Sequence, residues 1–322
     1  MKLKTILHSV ALASALFAVG QTPAAAAEFP EKPVRLIVPY GPGGGTDTIA
    51  RIITGSITGY LGQPMVIINR PGATGTVGTA AAAAADPDGY TVLISDSASM
   101  SVKPQTEKLP YAYTDFKVVA SINEAYFMLS TPKSKGISSL KEFIAAAKER
   151  KLTYATSGIG SPFHLAMEQM ARVAGIEKQL THIPFSGTGK AVTAALGGHV
   201  DAIVSYPNAV ISYVEDGKLN GLAVSAKKPL TVLPDVPTFA GSGVDFTSTG
   251  WKALFVRADT PKDRFEALQK AALALGTDKG FKKLMKALGE TISVKPGAEF
   301  EPVWHAEYKA FANILADLGM TK

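Results

Sequence analysis

The 322-residue chain contains no cysteine. That absence excludes disulfides, thiolate metal sites, a cysteine nucleophile and a cysteine-linked lipid anchor. Other catalytic signatures are missing as well: no serine lies in G-x-S-x-G and no H-E-x-x-H occurs. Aromatics are sparse at 8%, and Lys and Arg are scattered instead of striped with them, which argues against a nucleic-acid partner. No stretch is long enough to span a bilayer, because the apolar segment from Ile6 to Val19 falls short of the ~20 residues required.

That short segment has another reading. Lys2 and Lys4 precede it and Ala24-Ala25-Ala26-Ala27 follows, the layout of a secretory signal peptide over residues 1–27 with cleavage near Ala26 or Ala27. The mature chain keeps a mild positive charge, which helps to gather small anions. An exported chain without disulfides needs a large core. At 46% hydrophobic residues it can build one, most naturally as two lobes, since single cores stop growing near ~250–300 residues.

The most informative string is Pro39-Tyr40-Gly41-Pro42-Gly43-Gly44-Gly45-Thr46-Asp47. A β-branched run, Val34 to Val38, precedes it, and Ile49, Ile52, Ile53 and Ile57 follow at helical spacing. Strand, glycine turn and helix in that order bare backbone N–H groups at a positive helix terminus, which suits an anion. Nucleotide fingerprints fail here: there is no lysine after Gly45, and Thr46 stands where a dinucleotide motif needs its third glycine. Asp47 suits the first turn of a helix and can brace the loop. Arg51 is spaced to pair with it at i, i+4. A tight turn with no ligand remains the alternative for this loop alone.

The plan recurs. Met65 to Ile68 leads into the loop containing Ala73 and Thr76, and Tyr90 to Ile94 into Ser95-Asp96-Ser97-Ala98-Ser99. In the second half Leu152 to Ala155 leads into Thr156-Ser157-Gly158-Ile159-Gly160-Ser161, Leu180 to Ile183 into Phe185 and Ser186, and Ala202 to Val204 into Tyr206 and Asn208. Alternation of strands and helices predicts parallel sheets, with ligands outside the strands' carboxyl ends. Phe116 to Ala120 and Tyr126 to Ser130 read as crossing strands and Leu219 to Ser225 as the return. The tail from Pro261 reads as helical and packed on the first lobe.

Several strings carry a specific resemblance: the glycine loop with Arg51, Leu61-Gly62-Gln63-Pro64, Asn69-Arg70-Pro71-Gly72-Ala73, Pro87-Asp88-Gly89-Tyr90-Thr91, Gly197-Gly198 with Asp201, and Leu233-Pro234-Asp235-Val236-Pro237-Thr238. In this order, across the mature chain, they resemble the Bug family, the solute receptors of tripartite tricarboxylate transporters. The resemblance implies an α/β, two-lobed periplasmic binding protein of the type II, Venus-flytrap kind with two doubly wound sheets. Residues 28–125 plus 237–322 would form lobe 1, and 126–236 lobe 2.

It also implies a function: capture of a small organic carboxylate between two loop pincers, without catalysis or cofactor, for membrane transporter subunits or a sensor kinase. The first pincer matches Gly43, Gly44, Gly45, Thr46 and Asp47; the second matches Thr156, Ser157, Gly158, Gly160 and Ser161 with His164. Tyr40, Ala73, Thr76, Ser95, Ser97, Phe185, Tyr206 and Asn208 complete the expected ligand-binding set. The protein is expected to act as a monomer.

Other readings stand beside these. A secreted α/β hydrolase is the rival class. Lys103 can address a second anionic group or be surface lysine, and Phe163, Phe185 and Tyr206 can stack on a ligand or serve the core. Trp251, at the return to the first lobe, reads as core by default, with a cleft wall or the hinge as the alternatives. His164 and Glu168, at i, i+4, can seat a metal, form a surface pair, or serve the second pincer. Phe185 and Ser186, and Ser101-Val102-Lys103-Pro104, depart from the family pattern, so no ligand can be copied from a relative.

Overall fold

The computed structural model describes residues 29–322, and the expected leader lies outside them. Strand β1 (Val34–Val38) buries Val34, Leu36 and Val38 on one face and Ile37 on the other, as a continuous apolar run does inside a sheet covered on both sides. Helix α1 (Gly45–Leu61) sets Ile49, Ile53, Ile57 and Leu61 into the same core as Leu36, and Gly62, at a φ of 80°, stops it. Strand β2 (Met65–Asn69), helix α2 (Thr76–Ala83) and strand β3 (Thr91–Asp96) complete three strand-loop-helix steps.

Strand β4 (Phe116–Tyr126) is followed after one residue by β5 (Met128–Pro132), helix α3 (Leu140–Glu149), β6 (Leu152–Thr156), α4 (Pro162–Ala174), β7 (Leu180–Pro184), α5 (Thr188–Leu196), β8 (Ala202–Ser205) and β9 (Leu219–Val224). The chain ends with β10 (Thr249–Arg257), α6 (Lys262–Ala274), α7 (Lys279–Ala287), β11 (Thr291–Pro296) and α8 (Gly297–Asp317).

Two sheets result, ordered β11-β4-β10-β3-β1-β2 and β7-β6-β8-β5-β9. They are mixed, not parallel throughout. β1 pairs in parallel with β2 and β3, and β6 with β7 and β8, but β10 is antiparallel to β3 and β4, and β5 to β8 and β9. In each sheet an antiparallel strand between its neighbours, β10 or β5, arrives from the other sheet. A strand that enters at its neighbours' carboxyl ends must run against them. Both sets of carboxyl ends therefore lie toward the crossing.

Leu219 to Ser225 is not the return. β9 stays at the edge of the second sheet, and Phe239, Val244 and Phe246 beyond it join that sheet's core, so the chain rejoins the first sheet only at β10. Ser225 instead stitches the crossings: its Oγ accepts from the Phe127 amide at 2.9 Å, its amide donates to the Phe127 carbonyl at 2.8 Å, and its carbonyl accepts from the Ser248 amide at 3.3 Å.

The tail also reaches further than its apolar faces suggest. Phe265, Leu268, Ala272 and Leu275 of the α6 segment pack in the first core, as do Phe300 and Trp304 of α8. The last turns of α8 carry Phe311, Ile314 and Leu315 onto Leu165 of α4, joining one lobe's final helix to the other lobe.

Candidate functional site

The glycine loop is held from within by Asp47. This fully buried carboxylate accepts from the Gly43 amide at 2.8 Å, Arg51 Nε at 2.8 Å and Asn69 Nδ2 at 2.9 Å. Burial alone would raise its pKa; the bonds from Asn69, Gly43 and Arg51 together outweigh it and hold the carboxyl below its usual range. No side chain caps α1, so the N–H groups of Gly45, Thr46 and Asp47 stand in an uncapped first turn. Thr46 is itself buried, whereas Gly43, Gly44 and Gly45 are exposed.

The next two loops of this lobe meet beside it. The Tyr40 hydroxyl donates to Asp96 Oδ1 at 2.9 Å, and a Cβ on Gly75 would lie 3.1 Å from that hydroxyl and 3.2 Å from Ser99 Cβ. Ala73, at a φ of 45°, presents its carbonyl to the Thr76 hydroxyl at 3.1 Å. A non-glycine residue in that region stores about 1–3 kcal/mol of strain. Ser95 and Ser99 bond each other at 2.6 Å.

Ser97 donates to Glu307 Oε2 at 2.9 Å, Ser101 to Oε1 at 2.6 Å, and Trp251 Nε1 to Oε2 at 3.0 Å. Burial pushes the Glu307 carboxyl up to about 7 despite those three donors, and the nearby Asp96 charge adds to the effect. Asp96 is also raised by burial, which outweighs attraction from Lys252 and the bonds it accepts.

In the second lobe, the loop after β6 is braced by a different device. The Gly160 amide donates to His164 Nδ1 at 3.1 Å, the His164 amide to the capping Ser161 Oγ at 3.3 Å, and the Gly158 amide to Thr156 Oγ1 at 3.2 Å. His164 stacks on His182 with ring centres 3.9 Å apart, and His182 Nε2 lies 2.7 Å from Thr156 Oγ1. Burial lowers His164 to about 4 and His182 to about 3, the latter helped by His164. Glu168 is engaged by the Tyr154 hydroxyl at 2.5 Å, with His164 Nε2 3.8 Å away.

The Phe185 amide donates to the Thr156 carbonyl at 3.1 Å, tying the β7 loop to the β6 loop. Ser157 is half-buried and Asn208 exposed. Tyr206 stacks on Phe127 at 5.6 Å and meets Phe163 edge-on at 4.8 Å. It also reaches the first lobe, for a Cβ on Gly250 of β10 would collide with its hydroxyl. Trp251 is buried in the first core, and the Lys103 ammonium is bound to Glu107 one turn on.

Asp96, Lys252 and Glu307 were missed by reasoning from loops. Lys252 is only 8% exposed, in register opposite Asp96, and its Nζ lies 5.9 Å from the Tyr206 ring centre. The signal available was a charge inside the apolar run Trp251 to Val256. Glu307 gave none, being one polar residue among several on a helix.

The arrangement has counterparts among known proteins. A family model described as "Tripartite tricarboxylate transporter family receptor" matches residues 49–294. Protein BugT of Bordetella pertussis strain Tohama I is 34% identical over 247 residues, 74% of either chain. A solved TctC solute binding protein from Polaromonas superposes with a TM-score of 0.81 at 27% identity, covering 90% of this chain and 99% of that one. MatC from Rhodopseudomonas palustris, solved with bound malate, gives 0.73 at 28% identity, over 89% of this chain and 100% of its own.

Proposed function

Because the chain belongs to the family of tripartite tricarboxylate transporter receptors, we propose that it captures a small organic carboxylate between its lobes in the periplasm and delivers it to membrane transporter subunits. The observation that carries this reading is the glycine loop. Its one acidic residue is spent on Gly43, Arg51 and Asn69, while the first turn of α1 keeps uncapped donors. An acid so neutralised does not repel an anion from the helix terminus.

In this reading the carboxylate takes the N–H groups of Gly45 and Thr46 and those of Ser157 and Ile159, because the amides of Gly44, Gly158, Gly160 and Ser161 already donate within their loops; Asp47 and His164 brace from behind. Hydrogen bonds to a charged group give about 1.5–3 kcal/mol each, so four give roughly 6–12. Micromolar affinity needs about 8 kcal/mol. Amides suffice for the carboxylate and say little about the rest of the ligand.

A thermal-shift screen of organic acids on the mature protein tests the reading, with each hit recovered and checked for conversion. Binding without turnover supports a receptor, and product formation would sink it in favour of a hydrolase. Gly45→Arg places a long side chain where a Cβ meets nothing within 4 Å. The variant is expected to fold and lose the hit, and unchanged affinity by calorimetry would move the site elsewhere.

A further inference from the structure

Ile159 is 68% exposed, more than any other large apolar side chain among the described residues. It sits on the loop after β6, at the tip of a turn that the Ser161 amide closes on the Gly158 carbonyl at 3.3 Å. The glycines on either side have their flanks covered: a Cβ on Gly158 would lie 3.6 Å from the Phe185 carbonyl, and one on Gly160 3.1 Å from Met320 Cε. Only the isoleucine is left bare. A single exposed apolar side chain needs no explanation on an ordinary surface, but this one stands where the ligand is proposed to bind.

Its backbone N–H is one of the two that this loop keeps for the carboxylate. Cβ is joined through Cα to that nitrogen, so a carboxylate on the amide brings its own α-carbon beside the isoleucine. The opposing loop supplies no rival side chain, since Gly43, Gly44 and Gly45 have none, Thr46 is buried and Asp47 is turned inward. The hydroxyls nearby are already engaged. Thr156 Oγ1 is held between the Gly158 carbonyl at 3.1 Å and His182 Nε2 at 2.7 Å, Ser161 Oγ takes the His164 amide at 3.3 Å, and Ser186 Oγ takes the Lys190 ammonium at 3.0 Å. Of this loop's hydroxyls, Ser157 is left over.

We propose that Ile159 sets the receptor's specificity at the carbon next to the carboxylate: it favours acids whose α-carbon bears only hydrogen or carbon and discriminates against their α-hydroxy counterparts. The inference rests on the carboxylate-receptor reading above. A hydroxyl pressed against isoleucine loses water without gaining a partner. An apolar wall rejects an added hydroxyl by about ten- to a hundred-fold. A hydroxyl seated on Ser157 would invert the preference.

Calorimetry on the mature protein reads this in three pairs: butyrate and 2-hydroxybutyrate, succinate and malate, phenylacetate and mandelate. In every pair that binds, the unhydroxylated acid should be tighter by about ten-fold or more. Ile159→Asn keeps the amide and the approximate size; it should remove most of the preference with an unfolding midpoint close to wild type, while Ile159→Val should keep it. Ile159→Pro removes the N–H at a turn position that accepts proline, and it should weaken both members of a pair alike. The inference fails and the receptor reading stands if the wild type binds both members equally or prefers the hydroxy acid, if Ile159→Asn keeps the full preference, or if Ile159→Pro binds as wild type does. If none of the six acids binds the wild type, both fail.

Discussion

The Gly160 amide donates to Nδ1 of His164 at 3.1 Å, so a neutral imidazole holds the loop that precedes its own helix. Gly160 takes a φ of 67°, and a Cβ there would lie 3.1 Å from Met320 Cε of the C-terminal tail. The loop is thus tied to α4 by this ring, and the tip of Met320 packs close beside it.

That ring should make the protein acid-sensitive. The folded His164 pKa of about 4 lies below the ordinary 6.5, so the unfolded chain binds more protons between those values. Stability from this group is full above pH 6.5 and is lost as pH falls toward 4. His164→Asn keeps an acceptor near the Nδ1 position without the titration. Its unfolding midpoint relative to wild type should rise as pH drops from 7 to 4.5; parallel curves would refute this.

Glu307 works in the opposite direction. Its folded pKa of about 7 exceeds the ordinary 4.5, so its contribution is full below pH 4.5 and fades as pH rises through 7. Glu307→Gln should therefore gain stability relative to wild type between pH 5 and pH 8. Melting curves at both pH values, compared within each protein pair, check the sign.

Removing the Asp47 carboxylate strands the Gly43 amide and takes one of two acceptors from Asn69 Nδ2, which keeps the Tyr40 carbonyl at 3.0 Å. Arg51 is 59% exposed and loses little. Asp47→Ala is expected to cost about 1–3 kcal/mol in urea unfolding, the loss of hydrogen bonds to a charged acceptor whose donors remain partly solvated. Ligand affinity should fall with it. A loss below the error of the measurement would mean that the loop does not depend on this brace.

Two helical glycines should answer alanine with opposite signs. At Gly78 a Cβ would lie 2.6 Å from Pro39 Cα and 2.8 Å from the Arg70 carbonyl, backbone atoms of two site loops that cannot step aside. Gly78→Ala is expected to destabilise by about 1–3 kcal/mol through overpacking. At Gly55, on the exposed side of α1, a Cβ meets nothing within 4 Å. Gly55→Ala should stabilise by about 0.5–1 kcal/mol through helix propensity. Equal effects at the two positions would contradict this packing.

Much of the site's scaffold was legible because strand, glycine loop and helix are local and leave short-range periodicities. The run Val34 to Val38 and the spacing of Ile49, Ile53 and Ile57 fix β1 and α1 without tertiary information. The direction of β10 and β5 was not legible, since it depends on which strands they meet after crossing. Leu219 to Ser225 misled for the same reason: an edge strand and a returning strand have the same composition. Among lysines, Lys103 drew attention by following a serine loop, whereas Lys252 had only its apolar neighbours to mark it.

By itself, then, the sequence determined the family, the α/β class and the loops at the strand ends, because glycine, small hydroxyls and β-branched runs act over a few residues. Tertiary structure alone decided that Asn69 reaches Asp47, that His182 stacks on His164, and that Asp96, Lys252 and Tyr206 come together from β3, β10 and the end of β8. Burial and charge pairing depend on which distant elements meet across the crossing, and no local pattern encodes that meeting.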